Sequence, residues 1–158
     1  MATPLQPGDA APPFSGPTAD GHVVHLADFA GRWLALYAYP ADDTPGCTRQ
    51  ACNLRDGTDA LRAAGVAVVG LSPDDAASHD AFQAKHALSF PLIADPDHTI
   101  LTDYGVWGEK TLYGRKSIGV TRTTFLIDPD GVIRHIFRRP KVDAHAQEIL
   151  ARLETLRA

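Results

Sequence analysis

Trp33-Leu-Ala-Leu-Tyr-Ala-Tyr39, running directly into Pro40-Ala-Asp-Asp-Thr44-Pro45-Gly46-Cys47, is an apolar segment that ends in a turn and a helix start. The first seven residues are apolar throughout and rich in aromatics, the pattern of a buried strand. The following run, Thr48-Arg-Gln-Ala-Cys-Asn-Leu-Arg55, is mostly helix-compatible. Thr44 is placed to cap that helix, and Pro45 suits its first turn, where a missing N–H costs little. Cys47 then falls where unpaired backbone N–H groups and the helix dipole favour an anion. A thiol held there is biased toward its reactive thiolate form.

Outward from this junction, strand and helix patterns alternate. His22-Val-Val-His25-Leu26 reads as a short strand and Ala27-Asp28-Phe29 as a brief turn. Val66-Ala-Val-Val-Gly-Leu71 reads as a second buried strand. Ser72-Pro73-Asp74-Asp75 predicts a helix to about His86, with Ser as cap, Pro at the first position and acids in the first turn. Phe90-Pro-Leu-Ile93 predicts a short strand, and His98 to Tyr104 a helical turn ended by Gly105. Residues 106–121, polar and glycine-rich, predict a long loop, a length often reserved for function. Thr123–Ile127 and Val132–Phe137 predict strands joined by Pro129-Asp130-Gly131. The last helix, about Asp143 to Leu156, carries Ala146, Ile149, Leu150 and Leu153 at helical spacing. Alternation followed by a hairpin and a terminal helix predicts an α/β fold: a central mixed β-sheet flanked by helices, after an N-terminal extension rich in Pro, Gly and Ala.

The chain has 158 residues, enough for one domain over 1–158 that needs no disulfide staple. Fifteen basic and 19 acidic residues give a formal charge of −4, which argues against a nucleic-acid or membrane partner. No apolar run approaches transmembrane length. Met1-Ala-Thr-Pro-Leu-Gln-Pro-Gly-Asp9 has neither a basic nor an apolar signal region, so a cytoplasmic location is expected. Two close cysteines in that setting point to redox or metal chemistry. Zinc is disfavoured, because a cysteine pair needs two further ligands and no other ligand group sits near either cysteine in sequence. The seven histidines do not cluster in sequence. Asp42 and Asp43 read as solvated loop carboxylates that oppose an anionic sulfur. Arg138-Arg139-Pro140-Lys141 reads as a solvated basic turn.

Tyr39-Pro40 through Cys47-Thr48 resembles the active-site loop of peroxiredoxins. Cys52, five residues after Cys47, narrows the resemblance to the bacterioferritin-comigratory-protein, or Q-type, branch. Trp107-Gly-Glu-Lys110 is similar to a downstream motif of that branch. Arg122-Thr-Thr-Phe-Leu-Ile-Asp128 is similar to the strand that carries the family's active-site arginine. The likeness runs from about the first strand to the C-terminal helix. It implies a thioredoxin-like fold and a monomeric thiol peroxidase with no metal or organic cofactor. It also implies site roles: Cys47 as the nucleophile that a peroxide oxidises, and Cys52 as the thiol that resolves it into a disulfide. Thr44 and Arg122 would activate the peroxide, and Pro40 would shield the sulfur. A thioredoxin-like reductant would return the disulfide to two thiols.

Residues five apart on an ideal helix have Cα atoms roughly 8.5 Å apart. A disulfide wants less than about 7 Å. The first turns of this helix are therefore expected to unwind in each cycle, with Gly46 and Gly57 at the flanks. Two rivals remain at this stage. A protein thiol–disulfide oxidoreductase would normally show Cys-x-x-Cys, which is absent. A redox sensor would pass its oxidation state to a partner instead of turning over peroxide.

Overall fold

The computed structural model describes residues 4–157; Met1-Ala-Thr3, the start of the segment read above for an export signal, lies outside the described residues. The chain opens with β1 (Ser15–Pro17) paired antiparallel to β2 (Val23–His25). A single 3₁₀ turn, Leu26–Phe29, leads to β3 (Trp33–Ala38). Then come α1 (Pro45–Asp56), α2 (Thr58–Ala63), β4 (Val66–Ser72), α3 (Ala76–His86), β5 (Leu92–Ala94) and α4 (Thr99–Asp103). The C-terminal part holds β6 (Trp107–Leu112), β7 (Arg115–Val120), β8 (Thr123–Ile127), β9 (Ile133–Phe137) and α5 (His145–Arg157).

The expected central mixed sheet is present, in the order β5-β4-β3-β8-β9. β3 lies parallel to β4 on one side and antiparallel to β8 on the other. Its central position explains its uniform apolarity. Trp33, Ala35, Tyr37 and Tyr39 pack with Leu54, Phe82 and Ile149 on one face. Leu34, Leu36 and Ala38 pack with Phe14, Leu101 and Tyr104 on the other. A strand buried on both faces has no polar side to show as alternation. The strand that delivers the loop from Pro40 to Cys47 is thus clamped from four directions.

Three sequence expectations need correction. Ser72 does not cap a helix: it is fully buried and ends β4, paired with Ala94 of β5. The cap is Asp75, whose Oδ1 accepts from the Ser78 N–H at 2.9 Å, and α3 begins at Ala76. Residues 106–121 are not a loop but the β6–β7 hairpin, in register from Trp107↔Val120 to Leu112↔Arg115. Tyr113 and Gly114 both have positive φ (53° and 76°), which suits the tightest hairpin turns. Tyr113 is 96% exposed and Ile118 72%, so much of this ribbon stands in solvent and lacks an apolar face to betray it. Finally, α2 has no counterpart in the sequence reading: Gly57 ends α1, but six more residues turn again and bury Leu61.

Candidate active site

Register builds the site. Ala38 of β3 lies opposite Thr123 of β8, so the segments beyond these two ends are neighbours. One is the loop that leads to Cys47; the other is Arg122. Arg122 Nη2 donates to Cys47 Sγ at 3.2 Å, and Nη1 donates to Gln50 Oε1 at 2.5 Å. Gly46 makes room: a Cβ there would stand 3.3 Å from Arg122 Nη2. Cys47 is 2% exposed and packs in the cluster that holds Tyr37 and Tyr39. A permanent guanidinium charge and the first turn of α1 both lie at the sulfur, an arrangement suited to negative charge that develops there during reaction. Tyr37 is raised well above its usual range, first by burial and then by the charge of Cys47, so its hydroxyl stays protonated. The Tyr37 hydroxyl and Gln50 Nε2 find no hydrogen-bond partner among the described residues.

Thr44 occupies the N-cap position of α1, with its carbonyl accepting from the Thr48 N–H at 2.8 Å. Its side chain is not the expected cap, however. The hydroxyl donates back to the Ala41 carbonyl at 2.9 Å, which closes the loop on itself. The oxygen's lone pairs stay available. Pro40 sits half-buried at the bend just past β3. Cys52 lies on the same unbroken helix as Cys47, half-buried, and both thiols are free.

Asp42 is not a solvated loop carboxylate. Its side chain is 4% exposed and accepts from Tyr39 Oη at 2.6 Å, Ser78 Oγ at 2.8 Å and His79 Nδ1 at 2.7 Å. The other ring nitrogen of the fully buried His79 donates to the Ile93 carbonyl at 3.0 Å. Both ring nitrogens meet acceptors, so the ring is a buried imidazolium paired with Asp42. Burial alone would discharge both groups. For Asp42, the hydrogen bonds from His79 and Tyr39 overcome it and hold the carboxyl below its usual range. For His79, the hydrogen bond and charge of Asp42 overcome it and hold the ring above its usual range. Asp74 extends the network by accepting from the Asp42 N–H at 2.7 Å and from Ser72 Oγ at 2.9 Å. Asp42, Asp74 and His79 have metal-like proximity. Their atoms are already satisfied by these hydrogen bonds, and the cluster works as a clamp between the active-site loop and α3.

Asp43 turns the opposite way, with a left-handed φ of 58°. Its carboxylate accepts from Lys85 Nζ at 2.9 Å and from His86 Nε2 at 3.5 Å. Those hydrogen bonds, Lys85 first, hold its carboxyl below the usual range. Trp107 stacks on the His98 ring at 3.6 Å, a packing role. Arg138 of the basic turn is exposed and donates to the Leu5 carbonyl at 3.0 Å. Gln50, Asp42 and His79 were missed in the sequence. Gln50 had a usable signal, as a polar residue three positions after Cys47 and so on the same helix face. The histidines gave none, since only the fold brings α3 to the loop.

The sequence of residues 7–136 matches the family model for the AhpC/TSA family. Peroxiredoxin Bcp of Escherichia coli strain K12 is 46% identical over 147 residues, covering 93% of this chain and 94% of the relative. A crystal structure of a Xylella fastidiosa PrxQ mutant superposes with a TM-score of 0.89 at 32% identity, over 99% of this chain and 100% of that one. The Xanthomonas campestris bacterioferritin comigratory protein, studied for alkyl peroxide reduction, gives a TM-score of 0.84 at 35% identity, over 90% of this chain and 91% of that one. The sheet and helices are thus those of the thioredoxin-fold peroxiredoxins, as the resemblance implied. On sequence and fold together the chain belongs to the AhpC/TSA family, among the peroxiredoxins, whose activity is the thiol-dependent reduction of peroxides.

Proposed function

We propose that the chain reduces hydrogen peroxide and organic hydroperoxides at Cys47, resolves the product with Cys52, and is recycled by a thioredoxin-like protein. The observation that carries this reading is the 3.2 Å approach of Arg122 Nη2 to a buried Cys47 Sγ at a helix start. The Cys47 thiolate attacks the terminal oxygen of R–O–OH. The O–O bond breaks, the alkoxide leaves and takes up a proton, and Cys47 becomes a sulfenic acid. Negative charge moves from sulfur to the leaving oxygen, and the Arg122 fork stabilises it along that path. Thr44 Oγ1, its own proton given to Ala41, accepts the peroxide O–H and aligns it. Pro40 covers the sulfur at the bend after β3. Cys52 then attacks the sulfenic sulfur, and water leaves.

The alkyl-peroxide activity studied in the Xanthomonas campestris relative supports organic hydroperoxides as substrates. Both cysteines of the chain are consumed in the proposed disulfide, so its reduction calls for an external dithiol, and the family membership favours a thioredoxin-like one. Action as a monomer in the cytoplasm completes the reading. Stopped-flow fluorescence of reduced protein mixed with peroxide tests it, since Trp33 lies in the same packed cluster as Cys47. A fast phase should vanish in Cys47→Ser and persist in Cys52→Ser, with disulfide forming only in the unaltered chain. A reaction no faster than that of a free thiol would discard the peroxidase.

A further inference from the structure

Three groups from three elements meet beside Cys52. His86, the last residue of α3, places Nδ1 3.8 Å from Cys52 Sγ on α1. Its Nε2 faces Asp43 Oδ1 of the active-site loop at 3.5 Å. The His86 backbone is fixed from α1, where Arg55 Nη1 donates to its carbonyl at 2.8 Å. Phe82 packs edge-on against the ring at 5.3 Å between centroids. The side chain is 19% exposed, enclosed enough to be oriented yet open to water. The charged and titratable groups around the ring are Cys52 and Arg55 from α1, Asp43 from the loop and Lys85 from α3, with Lys85 itself paired to Asp43.

This is the order of a thiol, an imidazole and an orienting carboxylate, the arrangement that activates nucleophilic cysteines. Here it serves the second thiol and not the one that meets peroxide. We propose that His86 is the general base that ionises Cys52 for attack on the Cys47 sulfenic acid, with Asp43 as its positioning residue. The proposal rests on the reading of Cys52 as the resolving thiol. Asp43 accepts the Nε2 proton, which leaves Nδ1 as the lone pair facing sulfur. Nδ1 takes the Cys52 thiol proton. The thiolate electron pair forms the S–S bond to Cys47, and the S–O bond breaks with its pair on oxygen. The departing hydroxide takes the proton from the imidazolium and leaves as water. Cys52 is oxidised, the sulfenic sulfur is reduced, and His86 ends neutral. The same residue thus removes the proton that hinders attack and supplies the one that helps departure.

The geometry explains a timing problem. Sulfenic acid left waiting is open to a second peroxide and to sulfinic acid. A base already in contact with Cys52 in the reduced state means that resolution waits only for the helix to move. Asp43 adjoins Thr44, so one loop carries both the group that aligns peroxide and the group that orients the resolving base.

The test is rapid-mix oxidation of the full chain, with acid-quenched mass mapping of the Cys47–Cys52 disulfide over time. His86→Ala should slow disulfide formation by about 10²-fold, the usual weight of general-base help. Added imidazole, diffusing into the vacated and partly open site, should restore the rate in proportion to its concentration. Asp43→Asn keeps a residue that tolerates the left-handed backbone, and should slow the same step less while shifting its pH profile. The peroxide-dependent phase at Cys47, together with circular dichroism, reports that each variant is folded. Disulfide forming at the unaltered rate in His86→Ala overturns the role of His86. So does a slowed rate that ignores imidazole but recovers in His86→Gln, which would mean a packing role. A native chain that forms no Cys47–Cys52 disulfide overturns both this proposal and the reading beneath it, and peptide mapping of that chain alone tells the two failures apart.

Discussion

Arg122 and Cys47 stand 75 residues apart in the chain and 3.2 Å apart in space, joined because β8 runs antiparallel to β3 and begins where β3 ends. The guanidinium serves two partners, Cys47 Sγ and Gln50 Oε1, in one plane. A lysine ammonium has the charge but not the fork. Arg122→Leu should lower the second-order rate with peroxide by about 10²–10³-fold, the scale for losing a donor aimed at developing charge. Arg122→Lys should recover only part of it. An unchanged rate in Arg122→Leu, measured by stopped flow under pseudo-first-order conditions, would remove Arg122 from the chemistry.

The two cysteines share an unbroken α1, so disulfide formation must break helix. The far end of α1 is anchored: Asn53 Nδ2 donates to the Asp143 carbonyl at 2.9 Å, and Asn53 Oδ1 accepts from the Ala146 N–H at 2.8 Å. Unwinding should therefore run from Pro45 to about Cys52 and stop at Asn53. Hydrogen exchange on the reduced and disulfide forms should show protection lost over residues 48–56, whose helical acceptors lie at 44–52, and kept from Gly57, whose N–H donates to the Asn53 carbonyl. Equal protection in both forms would refute the unwinding.

The Asp42–His79 pair predicts a pH window. The native Asp42 carboxyl lies below its ordinary value of 3.8, so its stabilisation is present above that pH and is lost as pH falls through the native value. Native His79 lies above its ordinary 6.5, so its stabilisation is complete below 6.5 and is lost as pH rises through the native value. Asp42→Asn should cost about 3–5 kcal/mol near pH 5–6, the usual result of orphaning one member of a buried pair. The gap between native and variant should narrow at both extremes. Buried His145, lowered by burial against the pull of Glu148, loses stability on the acid side in both proteins and so cancels in the difference. Urea titrations across pH would show the window, and a gap independent of pH would refute the pair.

Gly57 joins α1 to α2 beneath α5. A Cβ there would lie 2.5 Å from the Ala146 Cβ, a short rigid side chain that cannot swing away. Its φ of −90° is open to any residue, so the cost of substitution is steric alone. Gly57→Ala should destabilise by about 1–3 kcal/mol. Ala146→Gly in the same chain should return part of that loss as a favourable coupling in a double-mutant cycle. Strictly additive losses would show that the contact does not matter.

The legible parts of this protein were those written in local patterns. β3, β4, β8, β9 and α5 announce themselves by unbroken or periodic apolarity, and the Thr44-Pro45-Gly46-Cys47 turn by its capping chemistry. What stayed hidden was either exposed or non-local. The β6–β7 ribbon carries Lys116, Ser117 and an outward Ile118 because solvent lies around it, so no period-2 signal survives. Ser72-Pro73 imitates a helix start because its decisive partner, Ala94, is 22 residues away. Asp42 passes for a solvated carboxylate until α3 delivers His79, and the sequence marks neither residue as the other's mate. Motif resemblance supplied Arg122, whose contact with Cys47 depends on sheet register.

Cys47 is almost wholly enclosed, whereas Cys52 reaches partway to the surface. On the function proposed above, that difference works as a sieve by size: a sulfur 2% exposed is closed to the thiol of another protein. The reduced enzyme and its fresh sulfenic acid are therefore both insulated from foreign thiols, which would otherwise form stray mixed disulfides. On that reading, the opening of α1 and the joining of the two sulfurs is the step that would bring a reducible bond within reach of a large partner. The order of encounters, oxidant first and reductant last, is then set by which sulfur is outdoors at each stage, with no need for the two visitors to compete in affinity.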